Sequence, residues 1–150
     1  MIWITHLVFG LLMGVLFKDY VSINFIVLLC IVGFSALLPD IDTVNSKVGR
    51  RVKPISKAIE KSFGHRGIMH SVWAAVFFAW LVSLVVAKDY ALAFLIGYGS
   101  HLLIDGFTIM GINYFNPIFT LRLHGFIETK SAAEYLLLFV MSSFLLYFLV

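Results

Sequence analysis

Five apolar runs, residues 2–17, 21–38, 68–87, 90–110 and 132–150, leave little of the chain for anything else. A membrane-crossing helix needs about 20 residues at about 1.5 Å each. Most of these runs approach that length, and the first, at 16 residues, fits a bilayer that thins locally. Helices are the expected form, because isolated strands in lipid leave backbone groups unsatisfied. Composition excludes the soluble alternative. Hydrophobic residues make up 61% of the 150 residues and charged residues 13%, against about 45–50% and about 25% in ordinary soluble domains. Too few polar residues remain to cover a soluble core. The expectation is one all-α integral membrane domain over residues 1–150, with about five transmembrane helices at the runs above.

The connections orient it. Lys18-Asp19-Tyr20 and Lys88-Asp89-Tyr90 are tight, nearly neutral turns. Between residues 40 and 67, Lys47, Arg50, Arg51, Lys53, Lys57, Lys61 and Arg66 hold seven of the eleven positive charges. The positive-inside rule places that loop in the cytoplasm. The N-terminus and residues 111–131 are then cytoplasmic as well, in a multi-pass protein of the inner membrane. Residues 54–63 read as a short amphipathic helix on the inner leaflet, with Lys57 and Lys61 toward anionic lipid. Trp3, Tyr20, Tyr90 and Tyr147 fall where interfacial aromatics belong. Neither a removed signal peptide nor a disulfide is expected, and the single cysteine, Cys30, reads as a small buried hydrophobe. Gly10 and Gly14 form a GxxxG that packs a neighbouring helix or a second copy in a homo-oligomer.

Ionisable residues inside such helices cost several kcal/mol, so those that occur carry information. His6 lies in the first run. Asp40 and Asp42 close the second, in Leu38-Pro39-Asp40-Ile41-Asp42. His65, Arg66, His70 and Ser71 open the third. His101 and Asp105 share one face of the fourth at i, i+4 spacing. With the orientation above, four helices deliver four histidines and three aspartates to the cytoplasmic half of the bundle.

Imidazoles mixed with carboxylates are the ligand set of Zn²⁺, Mn²⁺ or Fe²⁺. Seven candidates, His6, Asp40, Asp42, His65, His70, His101 and Asp105, suit one or two divalent ions, with zinc first and a bridging Asp40 or Asp105. Asp42 serves either as a ligand or as an acceptor behind one, and joins Arg66 as a catalytic candidate. The Arg66 guanidinium suits a phosphate. Ser71, Thr108 and Asn116 complete the candidate substrate contacts. His124 has no partner at defined spacing and reads as loop. No Gly-rich phosphate loop, nucleophile elbow or nucleic-acid platform occurs.

Thr5-His6 with Gly10, Pro39-Asp40-Ile41-Asp42, His65-Arg66 with His70-Ser71, His101-Leu102-Leu103-Ile104-Asp105 with Thr108, and Asn116-Pro117 together resemble the YdjM-like family of small inner-membrane proteins. They span residues 5–117 in that family's order. Met69 stands where the family often has Thr, and Ile109 where it often has Pro. The resemblance implies a membrane-bound, metal-dependent hydrolase and names no substrate. A site at headgroup level points to a membrane lipid, as a phospholipid or isoprenoid phosphoester. The rival classes are a divalent-metal or proton transporter, which predicts polar groups continuing outward, and a structural or regulatory subunit with a closed metal site.

Overall fold

A computed structural model describes residues 1–64 and 66–150. The sequence candidate His65 lies outside the described residues. Among the described residues six α-helices carry the fold: α1 (Trp3–Leu16), α2 (Phe25–Ser35), α3 (Lys53–Phe63), α4 (Val72–Val85), α5 (Lys88–Gly106) and α6 (Ala132–Leu149). Tight 3₁₀ turns at Lys18–Tyr20, Leu38–Asp42 and Ile68–His70 join them. After α5, β1 (Ile112–Asn113) and β2 (Arg122–Leu123) pair antiparallel, with Ile112 opposite Leu123 and Asn113 opposite Arg122.

The helices follow the apolar runs, with two informative departures. The second run enters its helix only at Phe25, because the Asn24 side chain accepts hydrogen bonds from the N–H groups of Ile26 and Val27 and caps α2. The third run is broken. Ile68–His70 form a 3₁₀ turn, and Ser71 accepts from Ala74 N–H to start α4. His70 therefore sits on a turn rather than inside a helix, and the predicted 20-residue span becomes 14 helical residues, about 21 Å.

Among the described residues, length and hydropathy sufficient for a crossing occur in two stretches, Phe25–Asp42 and Ala132–Leu149. The helices α1 and α4 are apolar but shorter, and α5 is long enough but carries Ser100, His101 and Asp105. The structure thus shows a helical bundle and two full-length candidate spans, fewer than the five read from the sequence. α4 and α6 turn Phe77, Trp80, Leu84, Phe139, Phe144 and Leu146 outward.

α5 is the central post, packed by α1, α2 and α4, while α6 packs against α1. Small residues permit this. A Cβ on Gly97 would collide with the Val32 carbonyl and Ser35 Oγ of α2, and one on Gly10 would lie 2.6 Å from Ala36 Cβ. The GxxxG of α1 is thereby used within the chain, since Gly14 faces Val32. Cys30 is exposed rather than buried. The amphipathic helix predicted over residues 54–63 is α3, whose Glu60 accepts from Thr43 Oγ1 and Val44 N–H. Residues 111–131, read only as a cytoplasmic segment, hold the hairpin.

Candidate metal centre

Three elements bring imidazoles together. His6 comes from α1, His70 from the 3₁₀ turn before α4, and His101 from α5; each is 1% exposed or less. The rings of His6 and His101 stack with centroids 3.8 Å apart at 11°. His70 and His101 meet edge to face, and their Nε2 atoms stand 3.2 Å apart.

The outer ring nitrogens decide what those facing atoms are. His101 Nδ1–H donates to the Ala36 carbonyl at 2.7 Å, at the end of α2. His70 Nδ1 lies 2.9 Å from Asp42 Oδ2. Each neutral imidazole then carries its proton on Nδ1 and its lone pair on Nε2. Two lone pairs at this distance repel unless a proton or a cation lies between them.

Carboxylates complete the ring. Asp40 Oδ1 is 4.0 Å from His70 Nε2 and 3.9 Å from His101 Nε2. Asp105 Oδ2 is 3.7 Å and 3.9 Å from the same atoms, and its Oδ1 is 3.4 Å from His6 Nε2. Two overlapping sets, His6–Asp40–His101 and His70–His101–Asp105, each bring ligand atoms within 4.8 Å of one another. His6 Nδ1 is buried with no hydrogen-bond partner among the described residues. Ligands on tetrahedral zinc, each about 2.1 Å from the ion, stand about 3.4 Å apart. The donor chemistry and spacing fit a divalent ion.

Asp42 is fully buried behind His70 and also accepts the Arg66 backbone N–H at 2.8 Å. Asp42 thus lies on the Nδ1 side of His70. Arg66 holds a left-handed backbone at φ 59°, a conformation that a non-glycine residue adopts only when its surroundings fix it. Its side chain supplies the fixing. Nη2 pairs with Asp105 Oδ2 at 2.9 Å, and Nη1 donates to Thr108 Oγ1 at 3.1 Å and to the Gly111 carbonyl at 2.8 Å. The two amino groups assigned to phosphate from the sequence are thus engaged within the chain, while Nε is buried without a hydrogen-bond partner among the described residues.

The other candidate substrate contacts divide. Ser71 is fully buried and occupied as the α4 cap, donating to the Ile68 carbonyl at 2.7 Å. Thr108 donates to the Asp105 carbonyl at 2.7 Å and accepts from Gly111 N–H, so it latches the end of α5. Asn116 lines a pocket with Arg66 and the residues of the hairpin, and His124 is exposed. Asp40 is the cluster's opening, with 16% of its side chain exposed, against 2% for Asp105.

Three residues outside the sequence candidates position the cluster. Glu134 of α6 is fully buried and accepts from Ile2 N–H at 2.7 Å, Thr5 Oγ1 at 3.0 Å and Lys130 N–H at 2.7 Å. It ties the start of α1, and with it His6, to α6. Ser131-Ala132-Ala133-Glu134 has the pattern of a capping box, which flags a helix start but not this tertiary use. Tyr98 donates to the Met69 carbonyl at 2.5 Å and holds the turn that carries His70. Tyr114 donates to the Leu102 carbonyl at 3.0 Å; burial and the nearby Asp105 charge raise its pKa.

A helical bundle with outward apolar faces and a buried imidazole–carboxylate centre defines a class of membrane protein. The sequence pattern described as the YdjM inner membrane protein matches residues 1–150, and the chain belongs to that family, as a protein of the inner membrane. The uncharacterized protein YvsG of Bacillus subtilis (strain 168) is 29% identical over 136 residues, covering 89% of this chain and 85% of that one. The inner membrane protein YdjM of Escherichia coli (strain K12) is 40% identical over 86 residues, 52% of this chain and 43% of that one. The Shigella flexneri protein of the same name matches to the same extent. No solved structure matches the chain.

Proposed function

We propose that the chain is a metal-dependent hydrolase acting on a lipid phosphoester at the cytoplasmic face of the inner membrane. The observation that carries this reading is the pair of Nε2 atoms 3.2 Å apart, with His101 Nδ1 bonded to the Ala36 carbonyl and His70 Nδ1 2.9 Å from Asp42 Oδ2, ringed by Asp40 and Asp105. His6, Asp40, His70, His101 and Asp105 would hold the metal, with zinc first in order. Neutral His101 has one lone pair, so it serves one ion, and a second ion would have to rely on the remaining donors. A bound divalent ion supplies Lewis-acid activation of water and of a phosphoryl oxygen. The chain does the rest: Asp42 holds the His70 ring, the Ala36 carbonyl holds the His101 ring, and Arg66 fixes Asp105. Asp40 lies on the open side, from which water would reach the ion.

The five-span, N-terminus-inside topology is part of this reading. It rests on the basic loop and on the five apolar runs, with α1 and α4 accommodated by local thinning. A transporter reading finds less support, because α2, α4 and the outer half of α5 offer almost no ionisable side chain away from the cluster.

The test is the metal content of detergent-purified protein by plasma mass spectrometry, for the wild type and for Asp40→Asn and Asp105→Ala. Near one or two Zn, Mn or Fe per chain, reduced in both variants, supports the reading. The partly exposed Asp40 permits a variant that folds even where Asp105→Ala does not. No metal in the wild type purified without chelators refutes it, leaving a shared proton between His70 and His101.

A further inference from the structure

The hairpin after α5 covers a second, smaller polar site. Arg66, Ile112, Asn113, Asn116, Thr120 and Arg122 line a pocket of about 300 Å³, at the small end of the range for ligand sites. Three features single it out. Asn113 and Arg122 are directly paired across the strands, so their side chains share one face of the ladder. Among the described residues no acidic group pairs with Arg122, so its charge is uncompensated. Arg66 Nε and Asn113 Oδ1 are buried there with no hydrogen-bond partner among the described residues, and the Arg66 side chain is only 9% exposed.

We propose that this pocket binds the phosphate and the polar alcohol portion of a phosphate ester, with Arg122 as the principal anion contact. The Arg122 guanidinium suits a phosphate, while Arg66, with both amino groups engaged within the chain, adds its positive charge to the pocket wall. The amides of Asn113 and Asn116 and the Thr120 hydroxyl both donate and accept, which suits an alcohol bearing further hydroxyls. Arg66 is the shared wall: its Nη2 pairs with the cluster residue Asp105 while its side chain lines the pocket. An ester held here therefore lies next to the proposed metal centre. Ile118, Phe119, Leu121 and Leu123, all exposed by half or more, flank the pocket on the same segment. They set its mouth against an apolar phase, so the ester arrives either as a lipid headgroup or as a free phosphate ester.

This inference rests on the phosphoester reading above, and its test separates the two. Protein in detergent with EDTA is titrated with glycerol 3-phosphate by calorimetry. In parallel, binding of phosphatidylglycerol doped into the micelles is followed by native mass spectrometry. At least one of the two ligands binds the wild type, and Arg122→Ala weakens it about tenfold or more, the scale of one charge-assisted contact. Arg122→Lys retains part of the affinity. Binding of the lipid alone identifies a headgroup, and binding of the free ester identifies a soluble source. Arg122 is exposed, so the variant keeps its helical circular dichroism and its metal content. No binding of either ligand, or equal binding by wild type and Arg122→Ala, overturns the proposal. Failure of the metal reading appears separately, as a wild type that carries no metal when purified without chelators and yet binds the ester in EDTA.

Discussion

Two glycines on one helix should respond oppositely to the same substitution. Gly97 and Gly99 both lie within α5, and helix propensity alone favours Ala over Gly by about 1 kcal/mol at either site. At Gly99 the new Cβ meets nothing within 4 Å, so Gly99→Ala should gain up to about 1 kcal/mol. At Gly97 it lands on the Val32 carbonyl and Ser35 Oγ. The carbonyl is backbone of α2 and cannot rotate away, so α5 has to withdraw from α2. Overpacking of this kind costs about 1–3 kcal/mol. The shift also strains the hydrogen bond from His101 Nδ1 to the Ala36 carbonyl, one helical turn further on, worth about 0.5–1.5 kcal/mol. The steric and hydrogen-bond losses exceed the propensity gain, leaving Gly97→Ala destabilised by about 2 kcal/mol, or roughly 4–8 °C in a domain of this size. Thermal melting of the purified variants in one detergent measures this, and metal content should fall only in Gly97→Ala. A Gly97→Ala protein melting at or above Gly99→Ala would refute the close α2–α5 approach.

Two further substitutions probe the supports of the cluster. Glu134→Gln keeps the shape but sets an amide NH₂ against donors, either at Ile2 and Thr5 or at Lys130. A loss of about 1.5–3 kcal/mol is expected, read as a lower melting temperature with the helical content unchanged. Asp42→Asn weakens the acceptor behind His70 without removing any of the five proposed metal-holding side chains. Metal affinity should drop about 10–100-fold, measured by competition with a chromophoric chelator; an unchanged affinity would place His70 outside the metal centre.

Much of the fold was legible because it follows from apolar run length. The centres of all five runs are helical, and the helix starts that departed from them, at Asn24 and Ser71, carry N-cap residues whose preference is local. The convergence of His6, Asp40, Asp42, His70, His101 and Asp105 was legible too, because polar residues in such runs are costly and their sequence positions fall on one side of the bundle. What stayed hidden depends on tertiary partners. Nothing local shows that Arg66 spends its amino groups on Asp105, Thr108 and Gly111, that Ser71 is consumed as a cap, or that Glu134 reaches α1. Residues 107–131 have no periodicity to read, so the pocket around Arg122 emerges only once β1 and β2 are paired.

Asp40 supplies the last step toward what the cluster does. Among the described residues, the basic nitrogens paired with its carboxylate are the two imidazole Nε2 atoms, at 3.9 and 4.0 Å, beyond hydrogen-bond reach. Arg66 is committed to Asp105, and the Met1 amino group also lies on Asp105, at 3.1 Å. A carboxylate set in a half-sheltered position against two converging lone pairs is an expensive arrangement for a fold held by apolar packing. One proton between His70 and His101 relieves the repulsion of the lone pairs but leaves Asp40 at a distance. A divalent cation would relieve both at once, because Asp40 and the two imidazoles offer it donors from the same side.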